Sequence, residues 1–167
     1  MPDLIAPGLR VLFCGINPSV YSAVVGYHFA RPGNRFWPAL HASGFTRRLL
    51  APHEQRELLA LGCGITNVVD RATVSADMLA DEELAEGGRR LERKVRRYRP
   101  QVLAVLGMGA WRTAFGHRRA SLGPQPQSLG GARVWVLPNP SGLNAHYLPG
   151  DLARLFRELR LAVESVE

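Results

Sequence analysis

Two asparagine–proline turns follow apolar runs near opposite ends of a 167-residue chain. Val11 to Cys14 breaks into Gly15-Ile16-Asn17-Pro18-Ser19, and Val134 to Leu137 breaks into Pro138-Asn139-Pro140-Ser141-Gly142-Leu143. A glycine, a carboxamide and a rigid proline fix one polar side chain at the end of a strand. A carboxamide is not a strong general base, so its contribution to a reaction is to position a water or a substrate group. The segment Gly26 to Trp37 follows closely and carries Tyr27, His28, Phe29, Phe36 and Trp37, whose flat faces suit stacking. Asp70 closes a further apolar run, where a carboxylate could activate a water, cap a helix or pair with Arg71.

For these groups to meet, the runs must be parallel strands, because open α/β sheets bind ligands just outside the carboxyl ends of their strands. Four runs read as strands: Val11 to Cys14, Ile65 to Val69, Val102 to Leu106 and Val134 to Leu137. Their Val, Ile and Leu content without polar alternation suits strands covered on both faces. Helical spacing runs over Asn34 to Ala42, Pro52 to Leu61, Asp81 to Tyr98, Met108 to Phe115 and about Pro149 to Val163. Asp81 to Tyr98 has acids at its start and bases at its end, which complements the helix dipole. Gly116 to Ala132 reads as a loop. The order β-α-α-β-α-β-α-β-α predicts a three-layer α/β/α domain with a central, mostly parallel sheet of four to five strands.

Composition narrows the partners. A net charge of +7 and a pI near 10.4 favour a polyanion. No run approaches the ~18 apolar residues of a membrane span, and Met1-Pro2-Asp3-Leu4 lacks the basic start of a signal peptide. A cytoplasmic protein without a membrane partner is expected, and a monomer. Cys14 and Cys63 read as reduced core thiols. Two cysteines are too few for a four-cysteine metal site, and neither metal nor cofactor is expected.

Gly15 to Trp37 resembles the signature of the mismatch-specific uracil-DNA glycosylases and their thymine-DNA glycosylase relatives. Asn139-Pro140-Ser141-Gly142-Leu143 resembles that family's second motif, and Val68-Val69-Asp70-Arg71, Thr73-Val74 and Gly87-Gly88-Arg89 also fit. The similarity runs from about Val11 to Phe156. It implies the uracil-DNA glycosylase-like fold, with residues 1–167 as a single domain. The implied activity is hydrolysis of the N-glycosidic bond of uracil in double-stranded DNA, preferentially opposite guanine, by a monofunctional enzyme.

In that family the position of Asn17 orients the attacking water, and that of Phe29 stacks on the flipped base. Gly15, Ile16, Pro18, His28, Asn67 and Asn139 would then border the base pocket, with His28 as a hydrogen-bond donor. Backbone N–H groups near Ile16 and the Phe29 loop would stabilise charge on the leaving base. Leu143 would be the wedge that fills the vacated stack. Ser141 belongs to its loop, and Gly142 and Asn144 would present backbone groups to the widowed guanine. Ala145-His146 stands where relatives can carry an arginine. Arg31, Arg35 and Arg71 are the phosphate candidates.

Three alternatives stay open. A bifunctional glycosylase/lyase needs an amine, and only Lys94 or a Pro2 amine could supply one. A non-catalytic DNA- or nucleotide-binding module could share the fold. Arg89 to Arg99, with seven bases and one acid, reads as a solvated helix face or a DNA stripe, and Gly107-Met108-Gly109 as a weak half of a dinucleotide fingerprint.

Overall fold

The computed structural model describes residues 1–165. Five strands form one sheet: β1 (Val11–Gly15), β2 (Cys63–Asn67), β3 (Val102–Leu106), β4 (Gly123–Leu129) and β5 (Ala132–Leu137). Their spatial order is β2-β1-β3-β5-β4. β1, β2, β3 and β5 run parallel, and β4 is antiparallel to β5 at the edge. Six α-helices cover the sheet: α1 (Val20–Val25), α2 (Phe36–Ala42), α3 (Glu57–Ala60), α4 (Asp81–Tyr98), α5 (Met108–Phe115) and α6 (Pro149–Glu164).

Successive side chains of each central strand point to opposite faces, so the continuous apolar runs feed two cores. Val11 and Phe13 of β1 pack with Phe36, Leu40, Phe156 and Leu159 of α2 and α6. Leu12 and Cys14 join Leu91 and Val95 of α4 and Trp111 of α5 on the other face. Both cysteines are buried, and burial pushes their thiols up, Cys63 to about 12. Inert core thiols result.

The fold class is as expected, and the differences from the sequence reading are local. β2 is Cys63–Asn67 and not Ile65 to Val69, although Val68 and Val69 remain buried beyond it. The supposed loop Gly116 to Ala132 contains β4, joined to β5 through Gly130 and Gly131 at φ 56° and 90°. Both turn residues need positive φ, the requirement of a tight hairpin that matches strand twist. Helix α1 was also unforeseen. Its six residues are dominated by valine, which resists helix, but Ser19 accepts from the Ser22 N–H at its start and Gly26 closes it at φ 83°. No helix among the described residues is long and apolar enough to cross a membrane.

Candidate active site

Both asparagine–proline turns open onto one cavity of about 360 Å³ at the carboxyl ends of the parallel strands. Its position follows from the ladder. Beyond β1 and β2 the pairing persists, with Val68 N–H donating to Gly15 O and Val69 N–H to Ile16 O, both at 2.9 Å. The segment after β2 then returns beside the first turn, where Thr73 N–H donates to Pro18 O at 3.2 Å.

Asn17 sits half-buried between these segments. Its Nδ2 donates to Arg71 O and to Thr73 Oγ1, each at 2.8 Å. The Thr73 hydroxyl donates to Ser75 O at 2.8 Å, so toward Asn17 it can only accept. Two acceptors therefore take both amide hydrogens and set the orientation of the carboxamide. Oδ1 has no protein donor among the described residues and remains an acceptor for a water or substrate group.

Phe29 lines the cavity beside Asn17. Its φ of 54° lies in the left-handed region, unusual for a bulky residue and costing on the order of 1–3 kcal/mol. The ring is held by stacking on Phe36, with centroids 4.2 Å apart and planes at 27°. Flanking bonds brace the loop: His28 N–H to Gln55 Oε1 at 2.9 Å and Ala30 N–H to Ser22 Oγ at 3.0 Å. Gly15 explains how Asn67 shares this space. A Cβ there would lie 2.6 Å from Asn67 Oδ1 and 3.3 Å from the tip of the Phe29 ring. Asn67 is buried, and its carboxamide has no protein partner among the described residues.

His28 also lines the cavity, but its role differs from the expected one. The ring is buried, with Nε2 2.9 Å from Pro2 O, and desolvation lowers its pKa. A neutral ring donates through Nε2 to that carbonyl, which leaves Nδ1 with a lone pair. The donor is spent on the amino-terminal segment and is not offered to a ligand.

The second turn forms a loop of nested hydrogen bonds. Asn139 Oδ1 accepts from Ser141 N–H at 2.9 Å, and Ser141 Oγ from Leu143 N–H at 3.2 Å. Asn144 donates through Nδ2 to Asn139 O at 3.0 Å. Asn139 thus shapes the loop while lining the cavity. Gly142 rests on the Gly33 backbone, where an added Cβ would collide with Gly33 O. Leu143 projects from the tip with 75% of its surface exposed, at the edge of the same cavity as Asn17.

The model of the uracil DNA glycosylase superfamily matches residues 2–160. The chain belongs to the uracil DNA glycosylase superfamily. A solution NMR structure from Methanosarcina acetivorans, provisionally named a uracil DNA glycosylase, is similar at a TM-score of 0.62 and 21% identity, covering 96% of each chain. That likeness bears on the fold.

Within this superfamily member, several expected site residues lie elsewhere. Asp70 is exposed and is not among the lining residues, because the chain turns away from the cavity once Val69 has paired with Ile16. The pairing with Arg71, one of the alternatives for this carboxylate, is not formed among the described residues. Arg71 instead forms a two-point ion pair with Glu83, Nε to Oε2 at 2.9 Å and an Nη2 contact to Oε1 at 2.8 Å. These bonds hold the Glu83 carboxyl below its usual range and occupy a guanidinium expected to bind phosphate. Arg35 is likewise spent, on carbonyls of the Leu143 loop. Arg31 is exposed, lines the cavity and has no protein partner among the described residues.

Lys94 lies off the cavity, paired with Asp3 at 2.5 Å and donating to Thr66 Oγ1 at 3.0 Å. In the arginine-rich part of α4, Arg89 and Arg96 pair with Glu86 and Glu92. Thr73 is the site residue whose role the sequence reading missed. A threonine in the loop after β2 was visible, but its contact to a residue 56 positions away was not.

Proposed function

We propose that this chain is a monofunctional DNA glycosylase that flips uracil out of double-stranded DNA, preferentially opposite guanine, and hydrolyses its N-glycosidic bond. Superfamily membership supports a DNA glycosylase in general. The observation that carries the finer reading is the chemistry of the cavity wall. Among the described residues it contains neither Asp, Glu nor Lys, while Asn17 offers a carboxamide oxygen held in a fixed direction.

Such a wall suits a reaction in which bond breaking leads. The sugar becomes oxocarbenium-like as the base departs with negative charge. Asn17 Oδ1 would accept a hydrogen bond from a water and hold it near the anomeric carbon, a contribution of position. Without a carboxylate to raise the water's nucleophilicity, the rate depends on the leaving group, which favours uracil over poorer leaving groups. Phe29 would stack on the extruded ring, and its own N–H, unpartnered among the described residues, would donate to the departing base. The Asn67 carboxamide, with one acceptor and two donors, suits the edge of a pyrimidine.

A base must leave the helix before any of this operates. Leu143 would enter the vacated stack. Gly142 O and Asn144 O would face the widowed guanine, since a carbonyl that accepts from Arg35 retains a second lone pair. Arg31 would meet a flanking phosphate, and affinity would fall with rising salt. No cofactor enters this scheme, and Lys94, held by Asp3, is a poor candidate for a lyase amine.

The test is a single-turnover panel of duplexes carrying uracil, thymine or hypoxanthine opposite guanine, and uracil opposite adenine. Uracil opposite guanine should be released fastest, without strand cleavage and without a borohydride-trapped adduct. Tight binding with no base released from any duplex would favour the non-catalytic module.

A further inference from the structure

The loop that carries Leu143 lies between β5 and α6 and has no regular structure. Its internal hydrogen bonds shape individual turns, but most join neighbours within the loop. Among the described residues, the hydrogen bonds that tie it to the body of the protein come from one residue, beside the packing of Tyr147 on the core and of Gly142 against Gly33. The Arg35 backbone N–H donates to Pro140 O at 2.8 Å. The Arg35 guanidinium donates to Tyr147 O at 2.6 Å, Asn144 O at 3.1 Å and, more weakly, Gly142 O at 3.4 Å. These carbonyls span both flanks of Leu143. Among the described residues no carboxylate pairs with Arg35, and its charge is met by loop carbonyls.

We propose that Arg35 is a positioning residue for strand opening: it holds the Leu143 loop in its inserting shape from behind. Breaking a base pair then depends on Arg35, whereas cleaving the glycosidic bond of a base already unpaired does not. This rests on the glycosylase reading above. It also gives a reason why the loop can carry Ala145-His146, since the arginine that stiffens it comes from the start of α2.

Physically, hydrogen bonds from a charged donor contribute more than neutral ones. Losing them lets the exposed leucine fold back or fluctuate, and the loop spends less time competent to insert. Apparent activity on paired substrate falls with that fraction. Asn17, Phe29 and Asn67 have no contact with the guanidinium among the hydrogen bonds described, so the pocket keeps its form.

The test uses the full chain with Arg35→Ala and Arg35→Lys, and Leu143→Ala as the benchmark. Two single-turnover substrates are compared, uracil opposite guanine and uracil opposite an abasic-site analogue. A 2-aminopurine beside the uracil reports base unstacking independently of bond cleavage. Arg35→Ala should slow excision opposite guanine by about tenfold or more while staying within about threefold of wild type on the unpaired uracil. Its fluorescence rise should shrink as it does in Leu143→Ala, and the double variant should be no worse than Leu143→Ala alone. Equal losses on the two substrates, an unchanged rate opposite guanine, or losses that multiply in the double variant would overturn the assignment. If Arg35→Ala does not melt cooperatively, Arg35→Lys, which keeps the charge but cannot span three carbonyls, answers through the same comparison. A wild-type protein that unstacks the base yet never releases uracil would end the glycosylase reading, while the fluorescence comparison would still judge Arg35.

Discussion

Adding one methyl group at Gly15 should damage activity and stability together, through the Asn67 carboxamide. In Gly15→Ala the new Cβ would stand 2.6 Å from Asn67 Oδ1, and ordinary contact begins near 3.4 Å, so the carboxamide must retreat by about 0.8 Å. The Phe29 ring, 3.3 Å away, has little room because its far face is stacked on Phe36. Overpacking of this kind costs about 1–3 kcal/mol, and each kcal/mol lowers the melting temperature of a chain this size by roughly 2–4 °C. A misplacement near 1 Å in a reacting site can cost on the order of 100-fold. Thermal melts should therefore show a drop of about 2–12 °C, and single-turnover uracil release should slow by about 10- to 100-fold. The double variant Gly15→Ala/Asn67→Ala separates the causes. Removing the Asn67 carboxamide relieves the clash, so its stability should recover toward that of Asn67→Ala, and its rate should match that single variant. Full activity in Gly15→Ala, or strictly additive losses in the double variant, would refute the placement of Asn67 against Gly15 as the cause.

Three further outcomes follow from the geometry. Thr73→Val removes one of the two acceptors that orient Asn17, and at about 1 kcal/mol for a net hydrogen bond it should slow excision by roughly fivefold, with Thr73→Ser restoring the rate in the same assay. Asp70→Ala should leave single-turnover release within about twofold of wild type, as expected of an exposed surface substitution, since this carboxylate is off the cavity. Burial keeps His28 neutral with a pKa below its ordinary 6.5, so the folded state binds its proton less readily than the unfolded chain. The stability from a neutral His28 is complete above pH 6.5 and is lost as pH falls from there through the lower folded value. His28→Gln, which retains a donor for Pro2 O, should flatten the dependence of melting temperature on pH in that acidic window.

The fold was legible where burial writes directly into residue type. The runs at Val11, Val102 and Val134 are covered on both faces, so hydrophobic content alone marked them as parallel strands. β4 was hidden because an edge strand needs little apolar content: of Gly123–Leu129 only Leu129 is buried, and two prolines suit an edge. The pair Gly130-Gly131 before a strand was the available sign of its hairpin.

At the site, the two asparagine–proline turns were placed on one cleft by a rule of topology, that strand ends share it, and the resemblance then singled out Asn17 and Leu143 within them. The arginines and Asp70 could not be placed that way. A guanidinium goes to whichever acceptors the folded chain brings within reach. Glu83 for Arg71 and the loop carbonyls for Arg35 are partners that no local pattern announces. Asp70, three residues past the end of β2, shows how a short departure from a strand end changes a side chain's direction.

The most direct measurement is single-turnover uracil release by Asn17→Ala from a duplex carrying uracil opposite guanine, with binding of the same duplex measured in parallel. The account predicts that release falls by about 100-fold or more, because the water loses the acceptor that Asn17 Oδ1 supplies, while affinity stays within about threefold of wild type. Release at the wild-type rate would contradict the assignment of Asn17, and with it the claim that a positioned carboxamide, without a carboxylate, drives this chemistry.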